Sequence, residues 1–563
     1  MVTAFGQYER TRRRLRFRHL SVLLCLLSFV LCQSVNAQRA GRARPSSVAP
    51  RAGQGSGGEL PAAAKAALDA AVEALQKNAL ADAERSARQA VQSAPRSAVA
   101  HNVLGVVLDR AGRADESFNE FNLAVKLDPN FVGARNNVGR MLAGRGKTSE
   151  AIAEFERVLK IDPAHVQAHY NLGSLYAGAG QFTKAADHFA RARMSAPDDL
   201  QLTFAFLHVA YRADRTAEAE AAADLLERNV GNDARGLFTL ATALAENKRY
   251  ERAARLFSRV NELQPRTYEV LYNLGVALYN LDRNDEAARY LAEAADLNPG
   301  PAETHFRLGL IASERGDQTN AIEEFKHATE RQPKNANYHY LLGREYFRAG
   351  FWEGAINEYG SAMEIEPKHA PYILSRADAN YRKGEWTAAA ADFDLAATLD
   401  PSNENIEYWQ GTAHRAAGNF DLARKHLENF LARHPDNVDT LASLGYIAIE
   451  QGRLDDAEAP LKRAISLDPK NAPVLYDYAR IPVKRRDYAE AVTRLRRVVE
   501  EDPAHTQAFY QLFLSYTRLK EKEKADAALA EFKRLEALEK QVTQERIMDE
   551  RLRTQQILNS SPQ

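Results

Sequence analysis

Two stripes of hydrophobic positions recur along this chain with helical spacing. In residues 166–199, counted as positions 1 to 34, the first stripe occupies positions 4, 7, 8 and 11, which form one face of a helix. The second occupies positions 20, 24 and 27. These residues are His169, Leu172, Gly173, Tyr176, Ala185, Phe189 and Ala192. Between the stripes the segment "GAGQF" supplies turn residues, so the pattern predicts a helical hairpin.

Prolines mark the ends of these hairpins at a constant interval of 34 residues. They stand at 95, 129, 163, 197, 265, 299, 333, 367, 401, 435, 469 and 503, and Gly231 occupies the station between 197 and 265. Proline cannot continue a helix, so each station is a predicted helix boundary. The period predicts fourteen units, from 64–97 to 506–539, and a repeat array needs no division into several globular domains.

Small residues recur at fixed positions in this period. Position 8 is glycine at 105, 139, 173, 275, 309, 343, 411 and 445, and position 20 is alanine from 151 to 525 in steps of 34. Small residues there allow close approach of two helices, and larger residues at positions 7, 11 and 24 fill the remaining space. With this phase the chain resembles the tetratricopeptide repeat family over about 85% of its length.

The resemblance implies an all-α fold, a right-handed superhelical solenoid of about fourteen 34-residue helix-turn-helix repeats. First helices would then line an inner groove. The interpretation gives an array over 61–539, with a possible seam near 200–233, where Leu207 replaces a small residue and Gly231 replaces proline. Pro482 is expected to kink its helix. A polar segment, 540–563, with Val542, Ile547, Leu552 and Ile557, is expected to cap the last hairpin.

The N-terminus has the layout of a secretory signal peptide. An arginine cluster ending at Arg18 precedes an apolar run from Leu20 to Cys32, and Val35-Asn36-Ala37 forms a small-x-small site. We expect cleavage after Ala37 and a periplasmic or secreted protein. A retained membrane anchor is the alternative, but the run is shorter than the roughly 20 residues that span a bilayer. Residues 38–60, rich in Gly, Pro, Ser and Arg, are expected to form a flexible linker.

Net charge and cysteine content limit the kinds of partner and site that the chain is expected to have. Residues 1–60 hold ten Lys/Arg against two Asp/Glu, so the remaining 65 basic and 73 acidic residues leave the body with a net charge of −8. An acidic body disfavours nucleic-acid binding. Both cysteines, Cys25 and Cys32, lie in the apolar run, so the mature chain would form no disulfide or thiolate metal site.

The chain carries no catalytic motif that we could identify, and we predict that it is not an enzyme and takes no cofactor or metal. It has no phosphate-binding glycine loop, no His-Glu-x-x-His and no nucleophile elbow. His165 and His169 have a spacing that two metal ligands can share. However, His165 lies in the predicted turn after Pro163 and His169 occupies a predicted buried position.

Positions 2, 5, 9 and 12 of each repeat are expected to face the groove. Position 5 is aromatic in nine of thirteen repeats, and position 9 supplies three arginines suited to carboxylates. The predicted partner-binding residues are Asn136, Arg140, Tyr170, Phe204, Phe238, Tyr272, Phe306, Tyr340, Arg344, Tyr408, Tyr476, Arg480 and Tyr510. The alternative is that the aromatic rings mainly support packing.

Some members of the family clamp a C-terminal carboxylate with Lys, Asn and Arg. Asn137, Asn171 and Asn273 match one clamp position and Arg307 another, but Glu303 stands where lysine is required. The clamp is incomplete, so that function is not assigned. We predict a scaffold that binds protein or peptide partners in its groove. The alternative is a component of an exopolysaccharide secretion or envelope assembly complex that contacts glycan.

Overall fold

The computed structural model describes residues 60–559, except for the side chains of 546 and 549–559. This part of the chain contains twenty-eight α-helices and no strand. The helices are α1 (Ala62–Gln76), α2 (Leu80–Ser93), α3 (Ala98–Arg110), α4 (Ala114–Leu127), α5 (Val132–Gly144), α6 (Thr148–Ile161), α7 (Val166–Gly178), α8 (Phe182–Ser195), α9 (Leu200–Arg212), α10 (Thr216–Val230), α11 (Ala234–Glu246), α12 (Tyr250–Leu263), α13 (Tyr268–Tyr279), α14 (Asn284–Leu297), α15 (Ala302–Arg315), α16 (Gln318–Arg331), α17 (Ala336–Arg348), α18 (Trp352–Ile365), α19 (Ala370–Lys383), α20 (Trp386–Leu399), α21 (Glu404–Ala416), α22 (Phe420–Arg433), α23 (Val438–Glu450), α24 (Leu454–Leu467), α25 (Ala472–Arg485), α26 (Tyr488–Glu501), α27 (Thr506–Arg518) and α28 (Lys522–Asn559).

The helices form two compact units, the first ending at Arg283 and the second beginning at Asn284. The first unit has six hairpins, α1/α2 to α11/α12, followed by α13. The second begins with α14 and continues through seven hairpins, α15/α16 to α27/α28. In each unit, consecutive hairpins stack on one another. The prediction of an all-α solenoid of helical hairpins is therefore confirmed.

The turn inside each hairpin depends on one left-handed residue at position 15. That residue is glycine in eight repeats, as at Gly112 and Gly146, and Asn, Asp, Lys or Arg in six, as at Asn78 and Asp214. A left-handed residue just beyond the first helix stops it, and amides of this turn bond to late carbonyls of the helix, as Gly112 and Arg113 do to Asp109 and Leu108. The turn between the two stripes is thus fixed locally in every repeat.

The glycine at position 8 of the first helix lies against the residue at position 24 of the second. A Cβ atom added to Gly105, Gly139 or Gly309 would lie 2.7 Å from a ring carbon of the phenylalanine sixteen residues later. Those rings, Phe121, Phe155 and Phe325, are fully buried. In two hairpins of the second unit a leucine, Leu427 or Leu461, takes the place of the ring. This contact sets how closely the two helices of a hairpin approach.

The predicted seam near 200–233 lies inside the first unit. Gly231 ends α10 with φ +55° and ψ −115°, a conformation that strains any other residue. Without a proline, α10 continues through Val230 and α11 packs less closely on it than consecutive helices do elsewhere in this unit. Whether the array bends there stays a prediction.

Pro482 lies within α25 without ending it, since the helix continues to Arg485. Because proline has no N–H, the carbonyl of Tyr478 loses its helical partner. The Arg494 guanidinium of α26 donates to that carbonyl at 3.1 Å and lies 3.8 Å from the Tyr478 ring centre. A neighbouring helix therefore satisfies the group that the proline exposes.

Several predicted segments lie near the ends of residues 60–559 or outside them. The signal peptide and the linker up to residue 59 lie outside the described residues, as do the side chains of Leu552 and Ile557. The segment from residue 540 continues α28 without a break as far as Asn559, and Val542 and Ile547 are exposed there. Within residues 60–559, no helix is both long enough and apolar enough to cross a membrane.

We predict that Gly139→Ala destabilises the fold and that Gly144→Ala does not, although both glycines lie in α5. The first adds a methyl group against Phe155, an overpacking that costs roughly 1–3 kcal/mol. The second meets nothing within 4 Å and should stabilise the helix by about 0.5–1 kcal/mol. Urea unfolding followed by circular dichroism measures both, and equal midpoints would contradict the proposed packing.

A candidate interaction surface on the first helices

First helices form the inner layer of each unit. Consecutive first helices, such as α3 and α5 or α23 and α25, touch one another as well as their own hairpin partners, whereas consecutive second helices within residues 60–559 make no comparable contact. In a stacked array, the concave side is the one on which consecutive helices lie closest together. Residues at positions 5, 9 and 12 of the first helices are the ones predicted to face this side, and each unit presents its own surface.

Four of the position-5 aromatic rings rest on the second helix of their own hairpin. Ring centres are 5.6 Å apart for Tyr170 and Phe189, 5.5 Å for Phe238 and Phe257, 6.0 Å for Phe306 and Phe325, and 5.8 Å for Tyr340 and Tyr359. In every pair the partner is the position-24 residue. Phe306 is only 5% exposed, so it offers little area to a ligand.

The other predicted aromatic residues have different neighbours. Ring centres are 5.9 Å apart for Tyr272 and Tyr268, 5.3 Å for Tyr408 and Phe430, 4.6 Å for Tyr476 and His505, and 5.1 Å for Tyr510 and Phe532. Phe204 is half-buried and Tyr510 is 37% exposed. The rings thus support packing, and those other than Phe306 are at least partly exposed. Ligand contact at these positions stays a prediction.

Asparagine side chains join first helices in the first unit. The Asn137 amide donates to Asn102 at 3.0 Å, and the Asn171 amide donates to Asn136 at 3.2 Å. Asn136 is buried. Each bond connects one repeat to the next, so this predicted groove residue is used between neighbouring first helices.

The three predicted arginines all have carboxylate neighbours within the chain. Arg140 donates to Asp109 at 2.6 Å, and Arg344 lies 3.4 Å from the fully buried carboxylate of Glu345. Arg480 pairs with Glu450 and with Asp477. A partner carboxylate would have to compete with these internal acids.

A buried polar cluster surrounds Glu345 in α17. Its carboxylate accepts from Ser313 at 2.7 Å and from Arg348 at 2.8 Å. Satisfied partners on two neighbouring first helices hold this charge in place, because a buried carboxylate without them would be costly. The cluster therefore fixes the register of α15 and α17.

Arg415, at position 12 of α21, was not among the residues predicted from sequence. Its guanidinium lies 5.3 Å from the centre of the Tyr446 ring, and Arg480 lies 5.5 Å from the same ring. Within the described residues, the half-buried Arg415 side chain donates no hydrogen bond, and its Nε is buried without a partner. The sequence signal was its position, since position 12 was expected to face the groove.

Tyr408, on the same helix as Arg415, adds an uncharged aromatic side chain to this surface. Burial, the largest cause, raises the pKa of Tyr408 to about 12, so its hydroxyl stays protonated at physiological pH. Asp439 also raises this pKa, whereas Thr412 and Arg415 lower it. The surface formed by Tyr408, Arg415, Tyr446 and Arg480, here named the Arg415 surface, combines cations with aromatic faces.

Histidines at position 4 join the two helices of a hairpin to the preceding turn. His101 lies 2.6 Å from Glu120 through Nδ1 and 3.0 Å from the Pro95 carbonyl through Nε2, and His305 and His339 repeat the arrangement. His169 lies 3.0 Å from His188, whereas His165 accepts from the Ala168 amide and caps α7. His165 and His169 are thus each bonded elsewhere.

Comparison with known proteins agrees with this architecture. Two family models, both described as tetratricopeptide repeat, match the chain, one over residues 68–130, 272–336, 340–404 and 408–472 and the other over 142–203 and 450–512. The chain belongs to the tetratricopeptide repeat family. No curated protein resembles it closely enough to count as a match.

Solved structures of similar architecture are distant in sequence. The complex of Naa15/Naa10 bound to HypK-THB is 14% identical, with 89% of this chain and 98% of that chain covered and a TM-score of 0.33. Yeast Tom70 is 15% identical, with 77% and 98% covered and a TM-score of 0.28. YrrB, described as having an unusual peptide-binding site, is 21% identical, with 32% and 92% covered and a TM-score of 0.28.

We predict that His188 makes the fold sensitive to acid. Burial, together with His169 and Arg191, lowers the pKa of His188 to about 4, whereas an unfolded histidine titrates near 6.5. As pH falls from about 6.5 towards 4, the unfolded state binds a proton that the folded state resists, so stability is lost in that window. The denaturant midpoint should fall less between pH 7 and pH 5 in His188→Gln than in the wild type.

His339→Gln is the matched variant of opposite sign. The hydrogen bond to Glu358 raises the pKa of His339. Its contribution is therefore complete below about pH 6.5 and is lost as pH rises through the folded-state pKa. The fall on acidification should be steeper in His339→Gln. Identical pH profiles for the two variants would contradict these assignments.

Proposed function

We propose that this chain is a non-enzymatic exported scaffold that holds protein or peptide partners on its first helices. The single observation that carries this proposal is the Arg415 surface, where a half-buried guanidinium lies on an aromatic ring without a hydrogen-bonding partner in the described residues. The repeat fold provides the scaffold. At the Arg415 surface, a partner can accept hydrogen bonds from a guanidinium that donates none within the described residues.

The chemistry of the Arg415 surface favours an acidic peptide. A guanidinium presents several N–H donors that match a carboxylate, and removal from bulk water strengthens that pairing. Tyr408 and Tyr446 offer aromatic area at low entropic cost. Arg480 on the adjacent helix adds positive charge but keeps its own carboxylates, Glu450 and Asp477. The proposed ligand is a peptide with a side-chain or terminal carboxylate flanked by apolar residues.

Export follows from the N-terminal pattern of arginines, an apolar run and a small-x-small site. With cleavage after Ala37, both cysteines leave with the signal peptide. The scaffold would then work in the periplasm or outside the cell without thiols that could oxidise there.

We predict that a random peptide library selected on the chain enriches acidic peptides, and that Arg415→Gln weakens their binding. A charge-assisted hydrogen bond contributes roughly 1.5–3 kcal/mol, which corresponds to a loss of about tenfold to a hundredfold. Titration calorimetry with a selected peptide measures this loss. The control is Arg496→Gln, which removes an exposed arginine from the second helix α26.

Two outcomes would decide against the proposed surface. Equal affinities for wild type and Arg415→Gln would place the peptide elsewhere. Enrichment of neutral or basic peptides would contradict the carboxylate chemistry. Soluble polysaccharide fragments, titrated in parallel, test the glycan alternative on the same protein.

We predict that protein recovered from the periplasm or medium of a secreting host begins at Gln38. The reason is the small-x-small motif that ends at Ala37. N-terminal sequencing or intact mass spectrometry of the 62.7 kDa precursor and its product measures this. Recovery of the uncleaved chain in the membrane fraction would instead support the anchor alternative.

A further inference from the structure

Three side chains that can bind a metal meet between two adjacent hairpins of the second unit. Asp394 comes from α20, His414 from α21 and His426 from α22. One ligating atom from each, a carboxylate oxygen and two ring nitrogens, lies within 4.8 Å of the other two. These residues are at positions 25, 11 and 23 of their repeats. This spacing matches no metal-binding motif, so the sequence does not predict the cluster.

The surroundings hold two of these side chains in place. Asp394 accepts from the Gln410 amide at 2.8 Å, and both of its oxygens lie 3.2–3.3 Å from His414 Nε2. On the other side of that ring, Nδ1 lies 3.4 Å from the Asn419 amide. His414 and Gln410 are buried, 5% and 7% exposed. Hydrogen bonds of this kind orient metal ligands from behind.

The His426 side chain takes no part in the hydrogen bonds that hold Asp394 and His414 in place. Its ring stacks on His414, with centres 5.8 Å apart and planes at 6°. Among the described residues it makes no hydrogen bond or ion pair, although its side chain is half-buried. An imidazole without a partner, within reach of a carboxylate and a second imidazole, has the chemistry of an unused ligand.

The donor set identifies the class of ion. Two imidazole nitrogens and one carboxylate oxygen suit borderline first-row divalent cations such as Zn²⁺, whereas Mg²⁺ and Ca²⁺ prefer oxygen ligands alone. Asp394 is 46% exposed, which leaves a route from solvent and room for a water ligand.

We propose that Asp394, His414 and His426 bind one divalent transition-metal ion that cross-links hairpins α19/α20 and α21/α22. Metal ions bind only ring nitrogens that carry no proton, so protons compete with the ion and affinity falls with acidification. The ion stiffens the junction between two repeats that otherwise pack through Phe393 and Trp409, whose ring centres are 6.0 Å apart.

The test uses the purified metal-free chain with ZnCl₂ and CoCl₂ as probes. We expect one equivalent of Zn²⁺ by calorimetry, a higher thermal unfolding midpoint with Zn²⁺ but not Mg²⁺, and visible d–d absorption on addition of Co²⁺. His426→Gln should weaken Zn²⁺ binding at least about tenfold and remove the Co²⁺ spectrum. Since His426 makes no hydrogen bond within the described residues, this variant should fold, which circular dichroism checks.

His434→Gln is the matched control, because His434 ends the same helix and lies 3.4 Å from Glu404, away from the cluster. It should bind Zn²⁺ like the wild type, and Asp394→Asn should bind weakly. Absence of a Zn²⁺-dependent shift in the wild type overturns the proposal. So does binding that His426→Gln and Asp394→Asn leave unchanged, since the ion would then lie on other histidines. Peptide binding at Arg415 is measured separately, so either proposal can fail alone.

Discussion

In seven of the described hairpins the contact between the glycine at position 8 and the large side chain at position 24 is the constraint on which the packing of the two helices depends. At Gly139 an added methyl group would lie 2.7 Å from the Phe155 ring, so the ring occupies the volume of the missing side chain. Close approach of the two helices then places positions 4 and 23 side by side. There His101 meets Glu120 and His339 meets Glu358. In these hairpins one packing contact therefore sets the helix spacing on which both the apolar core and polar links such as His101–Glu120 depend.

Stacking of hairpins gives the first helices a second role. They contact one another as well as the second helices of their own hairpins. Their polar residues therefore bond between repeats and are less available to a ligand. Asn136, Arg140 and Glu345 all bond within the chain. The proposed Arg415 surface differs because its cation has an aromatic neighbour and no acid bonded to it in the described residues. Recognition of a partner by such an array therefore depends on the few polar side chains that are not already bonded within the chain.

Both proposed sites lie in the second unit, and they require different structural properties of the repeats. The Arg415 surface needs rigid first helices, which present one arginine and its tyrosines. The Asp394, His414 and His426 cluster needs two hairpins to stay in register. A metal ion there would hold α21, the helix that carries Arg415, against α20. The two sites share a helix, and a metal-dependent change in peptide affinity would report that connection.

The sequence by itself determined the period, the helix boundaries and the core positions. Proline, glycine and alanine act locally, and the same local solution recurs every 34 residues. It also placed the aromatic and arginine residues of the first helices on one face. Only the tertiary structure decided which of them are already occupied. Arg140 and Arg480 pair with acids 31 and 30 residues earlier, Arg415 does not, and Asp394 reaches His414 and His426 across a repeat junction. Such pairings depend on distances between repeats, and helical periodicity carries no information about those distances.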